Sequence, residues 1–172
     1  MNLESDNKYQ LSKAGISDLA DVIEFEKKVL NDSSEYSSVK CLKSFIKSIN
    51  AEFLLIKYKD KICAYGLLTL RHFKNKPSAR ILKIAVDKTF RRLGLASRLI
   101  SELEKYALKN SMTGIFAEVR ESNTASLALF QKFGYKEARI LFGYYSSING
   151  SYDLENGIKL YKILYGGRAL GQ

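Results

Sequence analysis

The chain of 172 residues is 46% hydrophobic and 27% charged, with a formal net charge of +10. Those proportions suit a globular domain with its own core and exclude a disordered or collagen-like chain; no apolar run approaches the ~20 residues of a membrane-spanning helix. The cationic excess asks for an anionic partner, and because Lys and Arg are scattered rather than gathered into blocks, a phosphate-rich ligand accounts for them better than nucleic acid, which stays as the alternative.

The elements follow in chain order. Residues 9–13 read as a short strand, and Ser17 can cap a helix carrying Leu19, Val22, Ile23, Val29 and Leu30 at helical spacing. After a turn-rich break at 31–38, Val39, Leu42, Phe45, Ile46 and Ile49 predict one face of a second helix. Residues 53–58 and 62–70 read as strands joined in a hairpin at Lys59-Asp60-Lys61. A loop at 71–78 holds the single proline and the single histidine. Residues 80–86 form the next strand, followed by a helix with Leu95, Leu99, Ile100, Leu103 and Tyr106 turned inward and ending near Asn110. A short buried strand at 115–119 precedes a helix that Asn123 can cap and Gly134 can end. Two last strands lie near 135–142 and 158–164, on either side of a polar loop. The order β-α-α-β-β-β-α-β-α-β-β predicts an α/β fold with a mixed sheet in a single domain over 1–165, with 166–172 as a flexible tail. Cys41 and Cys63 have no metal-binding spacing, and the polar start lacks a secretory segment, so a reduced, cytoplasmic protein is expected.

The segment Ile84-Ala85-Val86-Asp87-Lys88-Thr89-Phe90-Arg91-Arg92-Leu93-Gly94-Leu95-Ala96-Ser97 carries the chemistry. A strand feeding a helix N-terminus through a basic, glycine-containing loop gathers unpaired N–H groups and the positive end of the helix dipole at one spot, where Arg91 and Arg92 add full charges. It has neither the glycine pattern of a dinucleotide fold nor the Gly-Lys-Ser/Thr of a nucleoside triphosphatase. Farther on, Glu118 stands in the apolar run Ile115-Phe116-Ala117-Glu118-Val119. An acid there needs a partner or a task, and Arg120, on the same face, is the nearest candidate for an ion pair.

With Glu118-Val119-Arg120-Glu121-Ser122-Asn123-Thr124-Ala125-Ser126, then Leu129-Phe130-Gln131-Lys132-Phe133-Gly134-Tyr135, and Gly143-Tyr144-Tyr145 after that, the chain resembles the GCN5-related N-acetyltransferase superfamily (GNAT). Within it, the chain is similar to the branch that acetylates protein N-termini, the ribosomal-protein alanine and co-translational N-alpha acetyltransferases. The close resemblance covers residues 81–164. It implies a mixed, mostly antiparallel sheet of about seven strands with about four helices, and acetyl-CoA in the V between two splayed parallel strands. It also implies that Ile84, Ala85 and Val86 pair with the pantetheine arm and polarise the thioester carbonyl, and that Arg91, Arg92, Leu93, Gly94, Leu95, Ala96 and Ser97 hold the pyrophosphate. Asn123 would both cap its helix and touch the CoA arm, Glu118 would be the general base, and Tyr144 and Tyr145 would hold the acceptor peptide. No metal is implied.

The chain departs from the pattern at Phe130, where a tyrosine usually protonates the leaving sulfur. Phenylalanine cannot, and the resemblance leaves open what replaces it. Glu155-Asn156 corresponds to the Glu-Asp of a shorter loop in the family. The turn at 31–36 would form the other peptide wall. Arg80 occupies a place where some relatives put a histidine or tyrosine facing the amine; repulsion of an amine and attraction of an acidic first side chain are both open. The implied activity is acetylation of protein or peptide N-termini in a direct ternary complex. The ribosome or an auxiliary subunit is a possible partner, and no membrane is. The alternatives are acetylation of a small amine or lysine side chain, or a non-catalytic acyl-CoA- or nucleic-acid-binding module.

Overall fold

The computed structural model describes residues 8–30, 37–74, 76–146 and 154–164. Its strands are β1 (Gln10–Lys13), β2 (Ala51–Tyr58), β3 (Lys61–Arg71), β4 (Ser78–Val86), β5 (Gly114–Arg120), β6 (Lys136–Tyr145) and β7 (Glu155–Ile163). The helices are α1 (Leu19–Val29), α2 (Val39–Lys47), α3 (Leu95–Lys109) and α4 (Thr124–Lys132), with 3₁₀ turns at Ile16–Asp18 and Lys88–Phe90. The strands form one mixed seven-stranded sheet in the order β1-β2-β3-β4-β5-β7-β6, in which β4 and β5 are parallel. The element order is the one expected from the sequence. The readings for 31–36, for most of the loop before β7 and for the tail fall on residues outside those described. The residues group into two compact units: 1–68 with 83–103, and 69–82 with 104–172.

In the first unit, β2 and β3 meet at Lys59 and Asp60, both at positive φ (47° and 61°). Two such residues in succession make a turn whose twist matches that of the strands it joins. The core includes Val22, Phe25, Leu42, Phe53, Leu55 and Tyr65. Ser17 does not cap the first helix. The backbone N–H of Gly15 instead donates to Asp18 Oδ2 at 2.8 Å, and the chain enters α1 through the 3₁₀ turn. Lys57, 2.6 Å from Asp18 Oδ1, holds the same carboxylate. α2 is capped by Ser38, whose Oγ accepts from Cys41 N. The expected apolar face of this helix is narrower than its spacing suggested. Leu42 is buried, Val39 is exposed, and Ile49 lies beyond the helix end, also exposed.

In the second unit, β5 is buried along nearly its whole length, and Ile115, Ala117, Ile158, Leu160, Phe130 and Tyr135 form the core. Asn123 Oδ1 accepts from Ser126 N at 3.1 Å, as expected of a cap for α4. Gly134, at φ +82°, follows the helix end. β6 pairs with β7 on one side and runs on to Tyr145 through two register shifts, between Glu137 and Arg139 and between Leu141 and Tyr145.

Candidate functional site

The first unit presents the end of β4 and the loop leading into α3. The paired positions of β4 and β5 end at Ile81 and Ala117, so Ile84, Ala85 and Val86 lie beyond the last of them. Beyond β4, Asp87 stops the strand and caps the next turn. Its Oδ1 accepts from Thr89 N at 3.0 Å and from Thr89 Oγ1 at 2.9 Å, while Lys28 stands 2.6 Å from Oδ2. Burial alone would raise this carboxyl. The hydrogen bonds from Lys28 and Thr89 outweigh it and hold Asp87 at about 2. Phe90 completes the anchor, edge-on to Tyr9 at 6.4 Å and tilted on Tyr58 at 5.6 Å.

From this anchored turn the chain passes through Arg91, Arg92, Leu93 and Gly94, all exposed. Arg92 is at φ +64° and Gly94 at φ +77°. Two left-handed residues on either side of Leu93, after an extended Arg91, turn the chain sharply before it enters α3. A Cβ at position 94 would meet nothing within 4 Å, so what selects glycine is the backbone conformation rather than crowding. Arg92 has no such freedom; it adopts a conformation that costs a residue with a side chain on the order of 1 kcal/mol. Leu95, Ala96 and Ser97 form the first turn of α3, where the amides lack intrahelical acceptors. Arg91 Nε reaches back to Val86 O at 3.5 Å. The residues expected to hold phosphate, Arg91 to Ser97, span this loop and the first turn of α3. The residues that brace it, Asp87 and Phe90, were not singled out from the sequence, although an aspartate directly after a strand is itself a capping signal.

The second unit presents Glu118. Its partner is not Arg120. Arg80 Nε donates to Glu118 Oε2 at 2.8 Å, and Arg80 Nη2 donates to Tyr144 Oη at 3.2 Å. Arg120 points elsewhere. It donates to Ser146 O at 2.9 Å and to Glu155 Oε2 at 3.1 Å, and its guanidinium lies 4.6 Å from the centre of the Tyr145 ring. Neighbours on one strand face share a direction, but a partner on an adjacent strand comes closer. Glu155 Oε1 also accepts from Ser122 N at 2.8 Å. Burial would raise Glu155, but the bonds from Ser122 and Arg120 lower it below the usual range. Asn156 ties the same region together, accepting from Gly143 N and donating to Glu121 Oε2, each at 3.1 Å. These two residues thus fasten the segment before α4 to the bulged end of β6.

Tyr144 and Tyr145 meet edge to face with centroids 5.0 Å apart. Gly157 of β7 lets them do so, since a Cβ there would come within 3.1 Å of Tyr145 Cε2 and 3.2 Å of Tyr144 Cδ1. Burial first, then the neighbouring Tyr144 phenol and the Glu118 carboxylate, push the Tyr145 phenol up to about 12, so it remains protonated and able to donate near neutral pH. Glu118, Tyr144 and Tyr145 are therefore brought together, with Arg80 as the link. Asn123 is committed to its cap. Phe130 is buried against Tyr135, with ring centroids 5.0 Å apart, and offers no proton. Cys41 is exposed, and burial pushes the Cys63 thiol up to about 11, away from the nucleophilic thiolate.

The chain is similar to known acetyltransferases. An N-alpha-acetyltransferase of Sulfolobus acidocaldarius is 26% identical over 163 residues, covering 88% of this chain and 96% of the relative. A [Ribosomal protein bS18]-alanine N-acetyltransferase of Escherichia coli is 36% identical over 75 residues; that match covers 44% of this chain and about half, 51%, of the relative. Among solved structures, the ribosomal-protein-S18-alanine N-acetyltransferase from Escherichia coli superposes with a TM-score of 0.77 at 24% identity, covering 95% of this chain and 99% of the other. NAA60 from Arabidopsis thaliana, in complex with a bisubstrate analogue, gives 0.78 at 16% identity over 92% and 99%. The sequence pattern of the Acetyltransferase (GNAT) family matches residues 20–135. With a pattern spanning most of the chain and relatives that carry acetyl-transfer names, the chain belongs to the GNAT acetyltransferase family and is an acyltransferase.

Proposed function

We propose that this chain is a cytoplasmic enzyme that transfers the acetyl group of acetyl-CoA to the α-amine of a protein or peptide N-terminus, without a metal. The observation that carries the reading is the bonded set Glu118–Arg80–Tyr144, beside Tyr145: a carboxylate fixed by Arg80, whose guanidinium also holds the phenol of Tyr144. The names of the relatives support the same acceptor class. Acetyl-CoA supplies an acetyl group activated as a thioester.

The loop Arg91–Gly94 and the first turn of α3, through Ser97, would hold its pyrophosphate by free helix N–H groups, helix dipole and cationic charge. Ile84, Ala85 and Val86 would bind its pantetheine arm as an added strand and, through a backbone N–H, polarise the carbonyl. Asn123 would add a contact to the arm. Glu118 takes the proton that the α-amine loses as its nitrogen bonds to the carbonyl carbon; with an amine pKa of about 8, only modest help is needed. The carbon–sulfur bond then breaks and the electron pair leaves as thiolate. A simple thiol has a pKa near ~8.5, so this departure proceeds without an acid at Phe130. Tyr144 and Tyr145 would hold the first acceptor residues. A ribosome or an auxiliary subunit is the partner that would deliver such an acceptor.

The test is a library of free-N-terminal peptides with acetyl-CoA, following CoA release and locating the acetyl group by mass spectrometry. The expected product is the α-N-acetyl peptide, with N-terminally blocked peptides inert. CoA release that needs only a polyamine or a lysine side chain would overturn the acceptor assignment.

A further inference from the structure

The charged groups around Glu118 do not balance. Glu118 is paired with Arg80, and Glu155 with Arg120. Two cations are left over. Lys159, the cross-strand neighbour of Glu118, has its Nζ 4.3 Å from the centre of the Phe116 ring, and the Arg71 guanidinium lies 5.5 Å from the same centre. Among the described residues neither has a carboxylate partner. Phe116 itself is buried, 6% exposed, and sits beside Arg80 in the β4–β5 register. All of these residues belong to the second unit.

We propose that Arg71 and Lys159, held over Phe116, form a carboxylate-binding patch that selects acceptors with aspartate or glutamate as the first or second residue. The proposal deepens, and rests on, the reading that Glu118 marks the position of the acceptor amine. Phe116 and Glu118 are two residues apart on one strand face, about 7 Å along β5. An extended acceptor advances about 3.5 Å per residue, so a carboxylate on either of its first two side chains spans that distance. The ring contributes to placement, because cations over an aromatic face keep their remaining donors directed away from it. A single carboxylate suits the patch better than RNA does. The ring is covered by its cations and gives no stacking platform, and two cations next to a carboxylate make a poor track for successive phosphates.

The experiment compares fluorescein-labelled peptides that differ only in Asp or Glu against Asn or Gln at residues 1 and 2, by anisotropy and by CoA release. Wild type should bind and acetylate the acidic peptides about tenfold better, a margin that shrinks at high salt. In Arg71→Gln/Lys159→Gln the ratio should fall to about one, and Lys159→Glu should shift preference toward basic acceptors. Equal binding of acid and amide peptides by wild type, or a preference that survives both substitutions, overturns the patch even if every peptide is acetylated. An acidic preference in binding that depends on these residues, with no peptide acetylated, keeps the patch and overturns the proposed function. Tighter binding of a single-stranded RNA oligonucleotide than of the acidic peptides, lost in the double variant, overturns the carboxylate assignment in favour of phosphate.

Discussion

Arg80 holds Glu118 with its Nε at 2.8 Å and Tyr144 with its Nη2 at 3.2 Å, so one guanidinium sets the direction of both the candidate base and a candidate peptide-binding phenol. A fork with fixed geometry does this better than a flexible ammonium. Glu118→Gln is expected to lower kcat about 100-fold or more with little change in acetyl-CoA affinity, as removal of a general base does. Arg80→Lys keeps the charge but loses the two-point hold, and kcat should fall by roughly tenfold. Steady-state kinetics with a fixed peptide reads both, and turnover untouched by Glu118→Gln removes it from the mechanism.

The loop before α3 separates strain from charge. Gly94→Ala meets no steric obstacle but must hold φ near +77°, at a cost of about 1 kcal/mol. Arg92→Gly should return a similar amount, because φ +64° suits glycine. Melting temperatures should therefore move in opposite directions. Acetyl-CoA affinity, measured by calorimetric titration, should fall in both, through a distorted loop in the first and a lost cation in the second.

Asp87 gives the molecule an acid-sensitive joint. Its carboxyl titrates near 2 in the folded chain against 3.8 in an ordinary setting, so it contributes stability that is fully present above about pH 4 and is lost as pH falls toward 2. Asp87→Asn should cost roughly 2 kcal/mol near neutral pH. Urea unfolding of the two proteins should converge as the pH approaches 2. A constant difference over that range would mean that the carboxylate charge is not what stabilises the turn.

Glu26 is the most thoroughly engaged acid described. It accepts from Tyr65 Oη at 2.6 Å, Ser37 N at 2.7 Å, Lys83 Nζ at 3.0 Å and Ser37 Oγ at 3.1 Å. Burial would raise its carboxyl, but the Tyr65, Ser37 and Lys83 bonds together lower it. Glu26→Ala should destabilise by about 3 kcal/mol or more, since it leaves Lys83 without this counter-charge. Adding Lys83→Met should restore a good part of the loss in thermal denaturation, and an additive double variant would show the pair to be uncoupled.

Phe130→Tyr adds a hydroxyl to a ring buried against Tyr135. Peptide acetylation should proceed at an equal or higher kcat, since no acid is removed. A fall in kcat with unchanged acetyl-CoA affinity would show that the apolar ring is itself required.

What could be read ahead of the structure was local. The Lys59-Asp60 hairpin, the Asn123 cap and the strand–loop–helix around Gly94 depend on residues a few positions apart, and each stands where the pattern put it. Ser17 is not a cap because it lies inside the 3₁₀ turn, Ile16–Asp18, that precedes α1. The nearest candidate for a Glu118 ion pair, Arg120, is not its partner, because the groups that decide it lie far along the chain: Arg80 is 38 residues from Glu118, and the Glu155 that claims Arg120 is 35 residues from it. Ile49 satisfied the helical spacing but follows the end of α2 and is 87% exposed. Periodicity describes one element at a time, whereas ion pairs are settled by which strands lie side by side.

The bulged end of β6 has a second consequence, for solubility. β6 is an outer strand and exposes Ile140, Phe142 and Tyr144, an apolar row of the kind that invites another chain to add a strand. The register shifts at 137–139 and 141–145 break the even spacing of N–H and C=O groups along that edge, so no straight strand can pair along its full length. The irregularity that carries the two tyrosines therefore also guards the molecule against edge-to-edge aggregation.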